Sequence, residues 1–145
     1  MNAVDTAVAP AVPARTVWTR GAVAAVVAAA LNTAVAVVAR TALDLDPRFI
    51  GLKPAMVITA TLFTMLAGTG VFLLIRRFTA RAERIFTILA IAFAVLSVAS
   101  PISLLGASPA DQPGVSDAAA LCLIPLHLIP APVLLVALFR GKTKA

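Results

Sequence analysis

Charge is scarce in this chain. Asp, Glu, Lys and Arg make up 12% of its 145 residues, half the share of about 25% found in soluble domains. So few charges cannot furnish a water-facing surface, and lipid has to cover much of it. The scarcity is sharpest in residues 21–39, 55–75, 85–105 and 118–139, which contain none of the four charged types. Proton-coupled exporters of similar size depend on a buried carboxylate, and no span supplies one. Cys122 is the only cysteine, which excludes an internal disulfide, a CxxC redox pair and a cysteine zinc cluster. In its apolar run it reads as a small packing residue. His127 is the only histidine. A catalytic zinc needs about three protein ligands, and a haem held by two histidines would need two copies of the chain. No P-loop, HExxH or nucleophile elbow is present, and no period of 20–50 residues repeats. No metal or cofactor is expected, and the chain reads as a non-enzyme.

Apolar residues fill the space: 61% of the chain is hydrophobic and the mean hydropathy is +1.04. The four charge-free runs are 19 to 22 residues long. A crossing helix needs about 20 residues for roughly 30 Å of hydrocarbon. Their continuous apolar pattern excludes crossing strands, which alternate. The expected fold is therefore all-α, an integral membrane bundle of four transmembrane helices spanning residues 21–139. Pro54 suits the first turn of the second span, and Asp117 is placed to cap the fourth. Residues 1–20 read as a disordered N-terminal tail, with Pro10 and Pro13 opposing a regular helix, and residues 140–145 as a C-terminal tail. Arg15, Arg20, the apolar run and Ala34-Val35-Ala36 also fit a cleavable signal peptide. The long polar lead and the continuation to Ala39 favour a retained span.

The formal charge is +6, but the basic residues flank the spans instead of forming a helical stripe, so nucleic acid is not an expected partner. Their placement sets an orientation. Nine lie on one side: Arg15, Arg20, Arg76, Arg77, Arg81, Arg84, Arg140, Lys142 and Lys144. Three lie on the other: Arg40, Arg48 and Lys53. Both termini are thus expected in the cytoplasm, in a multi-pass protein of the cell membrane. Asp44 and Asp46, before Pro47, read as a solvated turn in the outer loop.

Small residues allow helices to pack closely within lipid. Ala60, Thr64 and Gly68 recur on one face of the second span, Ala90 and Ala94 on the third, and Gly21, Ala25, Ala28 and Ala29 on the first. All are read as packing faces. At about 1.5 Å per residue, Asn32 lies roughly 16 Å inside the first span and His127 roughly 13–14 Å inside the fourth, from opposite ends. Thr64 and Ser97 fall near the same level. The four form an expected midplane polar layer, with Asn32 and His127 facing the interior within reach of each other or of a bridging water. Pro101, Pro125, Pro130 and Pro132 are expected to kink their helices. Pro130 and Pro132 each free an upstream carbonyl that needs a partner.

From Asn32 to Arg140 the chain resembles a family of small actinobacterial four-helix membrane proteins classified as a domain of unknown function. The resemblance is carried by Leu31-Asn32-Thr33-Ala34, Val38-Ala39-Arg40, residues 70–77 (GVFLLIRR), Arg84, Leu96-Ser97, Pro101 and Leu126-His127-Leu128. Pro130 and Pro132 depart from it. The resemblance implies the architecture and no activity. The leading expectation is a non-enzymatic accessory or interaction subunit, partnered by the lipid bilayer and by another membrane protein or a second copy. The alternative is a small transporter or ligand-binding bundle that uses the layer around His127. A dry, filled core favours the first reading, and an open cavity reaching His127 favours the second.

Overall fold

The computed structural model describes residues 12–140. The expectations for residues 1–11 and 141–145, including tail disorder and the positions of Lys142 and Lys144, lie outside that range. Among the described residues the protein is all-α. Helix α1 (Ala14–Ala42) leads to one 3-10 turn (Ile50–Leu52), then α2 (Pro54–Phe78), α3 (Ala82–Ser97), α4 (Ala99–Ile102), α5 (Asp117–Leu128) and α6 (Pro130–Phe139). The pairs α3 with α4 and α5 with α6 are near-continuous, so four helices are long and apolar enough to span a membrane.

Helix α1 starts at Ala14, so residues 14–20, assigned to the tail from sequence, are helical. Pro13 precedes the first turn, where its missing N–H costs nothing, and its carbonyl accepts from Val17. Val17 and Gly21 extend the buried face into this turn, and packing holds residues that the apolar run excludes. Ser116 caps α5, its side chain accepting from the Ala119 N–H. Asp117 instead accepts from the Gly106 N–H at 2.8 Å, which ties the loop before α5 to the start of that helix.

The seam between α1 and α2 is the most extensive in the molecule. Gly21, Ala25, Ala28 and Ala29 are buried in α1 as expected, with Ala24, Asn32 and Ala36. A Cβ at Gly21 would run into the Thr69 side chain, so glycine is what allows this approach. Helix α2 answers with Val57, Thr61, Met65, Thr69 and Phe72. That face is not the expected one: Ala60 and Thr64 are exposed and Gly68 is only half-buried. Two apolar clusters lie on either side of Asn32 along α1. One centres on Phe72, Phe86 and Leu134, the other on Phe49, Leu52 and Leu123. The described ends meet at one end of the bundle. Arg76 donates to the Val12 carbonyl at 2.7 Å and Arg20 to that of Leu138 at 3.4 Å.

At the opposite end, Asp46 accepts from the Arg48 backbone N–H at 2.8 Å and pairs with its guanidinium at 2.7 Å. This is the solvated turn that Asp44 and Asp46 imply. These bonds hold the Asp46 carboxyl down to about 2, and the same pairing raises the Arg48 guanidinium. Gly114, with φ +76°, lies against this turn. A Cβ there would sit 2.6 Å from the Phe49 nitrogen.

Candidate functional site: a cavity beside the second and third helices

The stripe of small residues on α2 is turned away from the seam with α1, and of its members Gly68 lies close to Leu134 of α6, where a Cβ would come within 3.0 Å. Ala60, Thr64 and Gly68 line a cavity of about 710 Å³, as do Ala90, Ala94 and Ser97 of α3. Small side chains on both helices leave space where larger ones would have filled it. Phe63 (74% exposed) and Phe93 (62% exposed) also border the cavity, and Leu123, Leu126, Pro130 and Leu134 of α5 and α6 complete its wall. The lining is mostly apolar and contains no Asp, Glu, Lys or Arg. Open pockets of about 300–1,000 Å³, apolar with a few polar groups, are the usual form of small-molecule sites.

All four residues of the expected polar layer, Asn32, Thr64, Ser97 and His127, reach this wall. They do not bond to one another. The Ser97 hydroxyl donates to the Ala94 carbonyl at 2.8 Å. His127 Nδ1 bonds to the Leu123 carbonyl at 2.8 Å, one turn back on its own helix. Asn32, 1% exposed, donates from Nδ2 to Thr61 Oγ1 at 3.1 Å and to the Leu126 carbonyl at 3.0 Å. A bond between Asn32 and His127 is therefore absent, and Thr61 rather than Thr64 is the α2 hydroxyl that meets Asn32.

The prolines explain this partner. Leu126 lies four residues before Pro130, which has no N–H to give it. The carbonyl is left without its helical donor, and Asn32 supplies one from α1. The sequence carries a signal for this in the Leu126–Pro130 spacing at the depth of Asn32. Thr61 had no signal beyond its place on the face that turned out to be buried. Regular helix is interrupted at Ile129, beside Pro130, and near Val98, three residues before Pro101. Helix α5 runs through Pro125 without interruption. Pro132 falls within the first turn of α6.

Asn32 Oδ1 is buried and has no hydrogen-bond partner. No group of three or more His, Cys, Asp or Glu is placed to hold a metal among the described residues. DUF6069, a family of unknown function, matches residues 12–144. The chain belongs to this family. The DUF6069 match extends beyond the motifs between Asn32 and Arg140 to take in the first half of α1. No curated protein and no solved structure matches the chain. Membership in DUF6069, a family of unknown function, brings no chemistry, so a functional reading rests on the cavity.

Proposed function

We propose that this is a multi-pass protein of the cell membrane whose four-helix bundle binds a lipophilic molecule in the cavity beside α2 and α3. The observation that carries the reading is the cavity of about 710 Å³ that reaches both His127 and Asn32. A filled core would have favoured a purely structural accessory subunit. The exposed apolar side chains at the cavity's edge, Phe63 and Phe93 among them, suit an occupant that arrives from the lipid phase. The lining carries no Asp, Glu, Lys or Arg, which favours binding over catalysis in this reading. Such a bundle still serves as an accessory subunit if it presents its occupant to a larger membrane protein or to a second copy. Both termini lie in the cytoplasm, on the nine-to-three distribution of Lys and Arg.

Filling the cavity tests this reading. Ala60→Phe with Ala90→Phe should bring labelling by a photoactivatable lipophile in vesicles down to background while the bundle still accumulates. Undiminished labelling would reject the cavity as the site. For orientation, a reporter after Ala145 should read cytoplasmic and one near Pro109 external. The reverse pattern would overturn the charge argument.

A further inference from the structure

We infer that the occupant is an uncharged lipophile carrying a hydroxyl, an alcohol or phenol, which donates a hydrogen bond to His127 Nε2 beside Asn32. The inference rests on the ligand-binding reading above and adds the chemistry of the ligand. It starts from the absence of charge in the lining. An ionic ligand would lose its water there and find no counter-charge, which is strongly unfavourable.

The hydrogen-bonding groups then select among neutral ligands. The Leu123 carbonyl can only accept, so His127 Nδ1 carries the proton in the 2.8 Å bond between them. In the singly protonated ring, Nε2 is then an acceptor. No protein donor meets it among the described residues, and His127 is half-buried on the cavity wall. Asn32 has the same shortage. Its Nδ2 is committed to Thr61 and to Leu126, and its Oδ1 is buried without a partner. His127 thus brings one open acceptor to the cavity wall, and Asn32, its Nδ2 committed and its Oδ1 enclosed, offers it no donor. The lining hydroxyls, Thr64 and Ser100 among them, can donate to a ligand oxygen. Ketones, esters and ethers would satisfy those hydroxyls but leave His127 Nε2 unmet. A hydroxyl gives and receives, and it alone of these groups suits both sets.

The test uses two photoreactive probes with the same sixteen-carbon chain, one ending in a hydroxyl and the other in its methyl ether. Each is added to the full-length protein in phosphatidylcholine vesicles, and labelled peptides are mapped. The alcohol should label cavity residues such as Leu89 and Phe93, and the ether should label them about tenfold more weakly, the cost of one unmade hydrogen bond to a buried partner. His127→Leu should erase the alcohol's advantage, whereas His127→Gln, whose amide oxygen accepts, should retain part of it. A merely structural role would lower both probes alike and leave their ratio unchanged. Equal labelling of the unaltered protein would overturn the hydroxyl inference and leave the cavity reading standing. Labelling by neither probe would overturn both. An advantage that survives His127→Leu would reject His127 as the anchor. Should His127→Leu fail to accumulate, the ratio on the unaltered protein still decides.

Discussion

Gly21, Ala25 and Ala28 of α1 are buried, with Gly21 seated against Thr69 of α2. Ala60, Thr64 and Gly68 of α2 are also small and also recur at helical spacing, yet they line a cavity, with only Gly68 closely approached, by Leu134. One stripe draws two helices together, and the other leaves a cavity. Residue size permits close approach without compelling it. What differs is the surface opposite. Thr69 lies against Gly21, so each fits the contour of the other. The α2 stripe shares its cavity with further small residues of α3, Ala90 and Ala94, and small side chains on both sides leave room between the two helices at that level. A small-xxx-small pattern is therefore a statement about room, and the rotation of the helix decides whether backbone or ligand takes that room.

The largest expected effect separates the two stripes directly. Gly21→Leu should destabilise the bundle by about 1–3 kcal/mol or more, because an overpacked seam cannot yield without separating α1 from α2. Ala60→Leu adds similar bulk at the cavity and should change stability by less than about 0.5 kcal/mol. Unfolding in detergent measures both. Equal losses would mean that the two stripes do the same work.

A smaller effect concerns the polar layer that both regions share. Asn32→Ala should cost about 1–2 kcal/mol, since it orphans the Leu126 carbonyl and removes the contact with Thr61. Pro130→Ala restores an N–H that can reach the same carbonyl. The double variant should lose less than the sum of the two single changes, by about 0.5–1 kcal/mol in an unfolding cycle. Strict additivity would show that Asn32 does not compensate for the proline.

The smallest effect lies far from either stripe, in the turn of Asp46 between α1 and α2. Hydrogen bonds from Arg48 lower the folded pKa of Asp46 from 3.8 to about 2. A lowered carboxylate contributes stability that is complete above its unfolded value and is lost as pH falls through the folded one. The contribution should fade between about pH 4 and pH 2. It should be slight, because exposed ion pairs are worth little and the Arg48 side chain is 75% exposed. Asp46→Asn should remove this acid-dependent component from unfolding curves and leave neutral stability almost unchanged. A marked loss at pH 7 would mean that the turn does more for the bundle than its exposure implies.

The amino-acid sequence by itself determined the four helices, because apolar length and the absence of charge are local properties. It also determined that Asn32 and His127 lie inside the apolar segments, and that Pro130 leaves a carbonyl in need of a donor. It placed the first helix's start too late, since the apolar run does not record that Val17, among Ala14 to Arg20, is buried in the bundle. Only the tertiary structure decided which face of α2 meets α1. Helical spacing says which residues share a face, while the rotation of that face depends on every neighbour at once. Only the tertiary structure gave Asn32 its partners as well. A search among side chains pairs Asn32 with His127, the other conspicuous polar group at that depth. The acceptor it found is a backbone carbonyl, one that every residue carries and that becomes available because a proline four residues later has no hydrogen to offer.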